Sequence, residues 1–211
     1  MQTIDFYFDP ISPFGYLGSV QIERLAARFQ RQVEWKPVLI GVTILQVMGL
    51  KPVPETPLKG DYMRHDALRL AAFFDVPFRY HGLKGINSVA ALRAFVTLNE
   101  RDPALAKAFA QRIFERLWLR GLDITSPDDV VQEAAPLGID AEGLRRDMTT
   151  DYAKDSLKRQ VDAAIAVGVF GVPYFIVDGE PIWGVDRMWM VEHWLRHHSW
   201  RGAEAERGAA Q

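Results

Sequence analysis

The sequence predicts an α/β fold: a small mixed sheet assembled from both ends of the chain, with an all-helical insertion between them. Three observations predict it. Apolar alternation of period two occurs near the N-terminus, and a short apolar strand run follows residue 172. Between residues 42 and 149 there is only helical spacing and no strand candidate. A two-residue hairpin signal, Asp178-Gly179, separates the last two apolar runs.

The elements follow in order. Ile4, Phe6 and Phe8 alternate with Asp5 and Tyr7, which reads as a strand over 3–9 that Pro10 and Pro13 end. Phe14, Gly18, Ile22, Leu25 and Phe29 recur at steps of four and three and make one face of a helix over 13–30. Pro13 suits its first turn, where a missing N–H costs nothing. A second strand covers 33–39. Residues 51–60 form a loop with three prolines, and helices are expected at 61–74, 88–99 and 103–119. Leu105, Phe109, Ile113 and Leu117 make the core stripe of the last of these. Ser126-Pro127-Asp128-Asp129 is a further helix start. Leu157, Val161, Ala164 and Ile165 mark a helix that stops near Gly168. A strand over 173–177, the Asp178-Gly179 turn and a return strand over 180–183 follow. A last helix over 186–198 carries Trp189, Met190, His193, Trp194 and His197 in range of one face.

The first two strands can pair in parallel only through a right-handed crossover, and the last two form an antiparallel hairpin. Strand–helix–strand, a helical block, then helix, hairpin and helix is the thioredoxin arrangement. Residues 1–41 and 150–200 would form that domain, 42–149 the helical insertion domain, and 201–211 a small, polar, disordered tail.

Composition excludes several classes. With 48% hydrophobic and 25% charged residues the 211-residue chain has an ordinary globular balance, and its net charge of -2 argues against a nucleic-acid partner. No apolar stretch approaches the roughly 20 residues of a membrane span, and no signal-peptide pattern opens the chain, so a cytoplasmic protein without a membrane partner is expected. The five histidines show no zinc-ligand spacing, so no metal is expected. There is no cysteine, so any thiol chemistry must use a thiol that a ligand brings in.

Six places could carry chemistry. Ser12-Pro13-Phe14-Gly15 stands at the exit of the first strand and the start of the first helix. Free N–H groups and the helix dipole favour an anion there, and a hydroxyl adds one donor. Lowering a thiol pKa by about 2 units takes about 2.7 kcal/mol, within reach of the two effects together. From spacing alone, the plain reading of Ser12 is a helix cap. Val172-Pro173 opens the third strand. A cis bond there would turn the Val172 backbone toward an extended ligand, as an added strand is bound, while a trans proline would only start the strand. Val185 and Asp186 open the last helix, where Asp186 can cap it or hold the charged end of a ligand. Lys36 and Lys59 could meet an anion or remain surface lysines. Asn87, with Ser88, can cap the following helix or line a pocket.

The stretches DFYFDPISPFGYLGS (5–19), GVFGVPYFIVDGE (168–180) and WGVDR (183–187) resemble the 2-hydroxychromene-2-carboxylate isomerases, which stand with the kappa-class glutathione transferases in the DsbA-like branch of the thioredoxin superfamily. The resemblance runs over about residues 3–198. It implies a glutathione site in which Ser12 is the catalytic residue and binds the sulfur. Val172 and Pro173 would pair with the cysteinyl backbone, and Val185 and Asp186 would hold the γ-glutamyl end. Lys59, in the stretch from Pro57 to Met63, would add a charge. Where relatives often carry asparagine in a G-N-x-P-P loop, this chain has Leu50, so that contact is not implied. The implied reaction interconverts 2-hydroxychromene-2-carboxylate and trans-o-hydroxybenzylidenepyruvate in the degradation of naphthalene-like aromatics. A thiolate can add to the conjugated alkene, permit rotation about the resulting single bond and leave again. The aromatic carboxylate substrate needs a cation, for which Lys36 is the first candidate, with Phe14 and Asn87 as further substrate contacts. Relatives are commonly homodimers. A kappa-type transferase and a non-catalytic thioredoxin-fold binding module are the alternatives.

Overall fold

A computed structural model of the chain describes residues 3–82 and 85–201. Apolar alternation gives β1 (Thr3–Phe8), which places Ile4, Phe6 and Phe8 on one face of the sheet. Ser12 caps α1 (Pro13–Arg28), its side chain accepting the N–H of Gly15, and β2 (Gln32–Pro37) returns parallel to β1. The helical insertion follows: α2 (Lys59–Phe73), α3 (Val89–Asn99), α4 (Pro103–Trp118), α5 (Pro127–Val131) and α6 (Ala141–Met148). Then α7 (Asp151–Ala166) leads back to β3 (Tyr174–Val177), β4 (Glu180–Trp183) and α8 (Met188–His197). The sheet order is β2-β1-β3-β4, with β1·β3 and β3·β4 antiparallel. Asp178 and Gly179 both take positive φ, the conformation a two-residue hairpin turn demands.

Phe6 and Phe8 meet Trp35 of β2, Phe8 meets Phe95 of α3 and Phe114 of α4, and Phe6 meets Phe175 of β3. The inserted helices thus share one core with the sheet. The opposite face carries Tyr7 and Tyr174, packed with Val38, Ala164, Val169 and Val172.

Several expectations are corrected. The prolines of 51–60 do not keep all of that stretch in a loop: α2 begins at Lys59, just past the last of them. Residues 42–47 form a wide helical turn and 141–148 a full helix, neither foreseen. The last helix proper starts at Met188, after a 3₁₀ turn at Val185–Arg187. Its core face is also different, since Val191 and Leu195 are buried while Trp189 is exposed. Met188, Val191 and Leu195 share the helical period as well, and the turn that packs on α1 decides which stripe faces in. The expected tail at 201–211 lies, beyond Arg201, outside the described residues.

Candidate active site

Ser12 is only 5% exposed, although it sits at the mouth of β1. Its backbone N–H donates to Asp9 O at 3.0 Å, which closes the turn. Its Oγ accepts the N–H of Gly15 at 3.0 Å and donates to Val172 O at 3.4 Å. The second bond is long, so the hydroxyl proton can pass readily to a better acceptor. No acidic side chain stands in the first turn of α1, so the positive end of the helix is not neutralised from within.

The Val172–Pro173 peptide bond is cis. The Val172 N–H has no partner among the described residues. Gly184 donates its N–H to Pro173 O at 3.0 Å, which ties the Val172–Pro173 segment to the Val185–Arg187 turn, and that turn packs against α1. The structure therefore brings Ser12, Val172, Pro173, Val185 and Asp186 together. Val185 is buried and Asp186 exposed. Arg187 lies near Asp186, with its Nη1 on Trp183 O at 2.9 Å and 3.5 Å from Asp186 Oδ2.

Of the other expected residues, Lys36 and Asn87 are engaged elsewhere, while Phe14 and Lys59 are not. Lys36 binds Asp5 at 2.8 Å and lies over the Tyr7 ring. Burial alone would lower its pKa, but Asp5 reverses this and holds it above the ordinary lysine value. It is thus committed to a carboxylate of its own. Asn87 is exposed and caps α3, its Oδ1 accepting the Val89 N–H at 3.2 Å. Phe14 is half-buried against the core, one residue past Pro13. Lys59 is exposed at the first residue of α2, with no hydrogen bond or ion pair for its side chain among the described residues. Tyr16, one turn beyond Ser12, donates to Pro77 O, and burial, then Glu115, pushes it up to about 12, so it is no acid near neutrality.

Three residues of the site carry little or no signal in the sequence. Trp118 of α4 is fully buried and donates its indole N–H to Pro10 O at 2.8 Å, gripping the Ser12 turn from the helical insertion. Gly18 faces Pro173, and a Cβ at residue 18 would stand 2.8 Å from Pro173 Cβ. Gly18→Ala should therefore destabilise the protein by about 1–3 kcal/mol despite the better helix propensity of alanine. Urea denaturation checks this, and a variant as stable as the parent would mean that α1 does not need this close approach. The third residue is Asp9. It is fully buried at the end of β1, where Ile11 N–H and Ile40 N–H donate to its two oxygens at 3.1 and 3.0 Å. Burial, partly offset by the Ser88 hydroxyl and these two bonds, raises its carboxyl to about 6. An unfolded carboxyl titrates near 4, so the folded state binds this proton more tightly, and stability falls by roughly 3 kcal/mol as pH rises from about 4 to about 6. An acidic residue ending an apolar strand was the available signal.

These features define a thioredoxin-type protein with a serine at the start of its first helix, a cis-proline segment opposite it and no thiol of its own. The DSBA-like thioredoxin domain model matches residues 3–196, and the chain belongs to that family. It is 31% identical to a 2-hydroxychromene-2-carboxylate isomerase of Sphingobium xenophagum, over 92% of this chain and 98% of the relative. It is 29% identical to glutathione S-transferase kappa 1 of Homo sapiens, over 95% and 93%. A solved structure of 2-hydroxychromene-2-carboxylate isomerase superposes with a TM-score of 0.82 at 25% identity, over 90% and 93% of the two chains. No helix among the described residues is long and apolar enough to cross a membrane.

Proposed function

We propose that the protein is a glutathione-dependent isomerase that interconverts 2-hydroxychromene-2-carboxylate and trans-o-hydroxybenzylidenepyruvate, working as a cytoplasmic homodimer. One observation carries this reading: a buried serine hydroxyl at a helix start, facing the Val172 carbonyl, in a chain without cysteine. The residues present fit a thiol-bearing peptide. Ser12 Oγ would exchange its long bond to Val172 for the sulfur, and the N–H groups of the first turn of α1 would favour that sulfur as an anion. The Val172 N–H would pair with the cysteinyl backbone. The N–H groups at Val185 and Asp186 would take a carboxylate, and the exposed Asp186 side chain, which already pairs with Arg187, would meet an ammonium. Lys59 would add charge for a second carboxylate, and Phe14 an apolar wall for the aromatic substrate. Bound there, glutathione would supply a thiolate nucleophile suited to reversible addition to a conjugated alkene.

The full-length similarity to a kappa-class transferase favours a second reading, conjugation of glutathione to an electrophile. The test mixes the protein with 2-hydroxychromene-2-carboxylate and follows the ultraviolet spectrum with and without glutathione, and the product by mass. Glutathione-dependent equilibration with glutathione recovered unchanged is expected. A product that retains glutathione would favour the transferase. No conversion and no glutathione binding by calorimetry would leave a binding module without chemistry.

A further inference from the structure

The carboxyl of Asp9 takes no part in any ion pair of the described residues, and the chemistry above does not use it. It is nevertheless a junction. It accepts from Ile11, the residue before Ser12, and from Ile40, where the chain leaves β2 for the helical insertion. The backbone carbonyl of the same residue accepts the Ser12 N–H. A third segment arrives at Ser88, the residue before α3, which is buried. The Ser88 hydroxyl falls short of a full hydrogen bond to any group of the described residues, yet it lies close enough to the carboxyl to favour its charged form. One side chain thus joins the Ser12 turn to two places where the insertion meets the sheet.

We propose that Asp9 is a positioning residue, whose ionised carboxylate holds the Ser12 turn in register for its ligand and whose protonation loosens that turn. The consequence for the ligand rests on reading Ser12 as the partner of the glutathione sulfur. The physical reason lies in the donor count. A carboxylate accepts through both oxygens, but once one carries a hydrogen, one of the two backbone N–H groups faces a donor. Burial sets this change at about pH 6. No charged side chain among the described residues acts on Asp9: the groups facing it are the Ser88 hydroxyl before α3 and the backbone N–H groups of Ile11 and Ile40. Free glutathione does not titrate there, since its carboxyl groups lie near 3–4 and its thiol and amine near 8–9; a bound thiol held as an anion titrates in Asp9→Asn as well, so the share of the Asp9 carboxylate is the pH-dependent change that Asp9→Asn removes.

The experiment follows the backbone amide signals of Ile11, Ser12, Gly15 and Ile40 by NMR from about pH 4.5 to 8, with glutathione affinity by calorimetry on either side of the midpoint. All four signals should share a midpoint near 6. Glutathione affinity should fall about tenfold below it, the worth of one hydrogen bond. Asp9→Asn should abolish the titration and bind glutathione weakly at every pH. Ser88→Ala should move the midpoint upward. Flat Ser12 and Gly15 signals while Ile11 and Ile40 titrate would overturn the role, as would an affinity that stays level through the midpoint. A wild-type protein that binds no glutathione at any pH would defeat the functional reading, and the Ser12 and Gly15 signals would still decide the role of Asp9. If Asp9→Asn does not fold, the wild-type titration decides by itself.

Discussion

Ser12→Ala is expected to lower glutathione-dependent kcat/KM about 100-fold, the scale seen when one preorganised donor to a developing or bound anion is removed. The alanine also deletes the helix cap, because Oγ accepts the Gly15 N–H. That loss amounts to about 1 kcal/mol and leaves the protein folded. The two effects separate in a paired measurement, initial rates at saturating glutathione beside a urea denaturation curve. A large loss of rate with a small shift in the denaturation midpoint is the expected pattern. A variant that loses the 1 kcal/mol but keeps its rate would reduce Ser12 to a cap.

Glu133→Ala should be the most damaging single change to stability. Glu133 is 1% exposed and receives two arginines of α4, Arg112 at 2.9 Å and Arg116 at 3.2 Å, and Arg120 from the turn just past its end at 2.7 Å. Arg116 is itself buried and pairs with Asp129 as a second carboxylate. Removing one partner of a buried cluster leaves charge uncompensated, at a cost of about 3–5 kcal/mol. For a domain of this size that lowers Tm by roughly 10 °C. Glu133→Gln keeps an acceptor and should cost less. Burial pushes the Glu133 carboxyl up, but the bonds from Arg120 and Arg116 and the charges of Arg120 and Arg112 outweigh it and hold the group below its usual range. Its stabilisation is therefore present above the unfolded value near 4 and is lost as pH falls through the lower folded value. The same helix carries Trp118, whose indole N–H holds Pro10, so the loss should reach the Ser12 turn. A thermal scan showing a shift of only a degree or two for Glu133→Ala would contradict the account.

Periodicity and punctuation made much of the fold legible. Ile4, Phe6 and Phe8 announce β1 because alternation is a local property. Ser12-Pro13 and Ser126-Pro127 announce helix starts because capping is a contact within three residues. Asp178-Gly179 announces the hairpin because few residues tolerate two successive positive φ angles. The inward face of α8 was not legible, because two stripes of that helix are apolar and only packing on α1 selects one of them.

The candidate site divides in the same way. Composition by itself removed any protein thiol, and a capping serine at a strand exit marked Ser12. That Ser12 meets Val172 across 160 residues, that Gly184 binds Pro173, and that Trp118 of a distant helix reaches Pro10 are tertiary facts. Nothing local to those residues encodes them. Lys36 shows the limit most clearly: a lysine on the expected edge of the sheet is indistinguishable from an anion-binding one until the neighbouring strand supplies Asp5. Asp9 is the converse, an ordinary acidic residue in the sequence whose burial, and hence whose proton affinity, exists only once α1, α3 and the strands close around it. Backbone preference and capping act over a few residues and can be read from the chain. Desolvation and charge pairing depend on which segments meet, and the packed fold alone decides that.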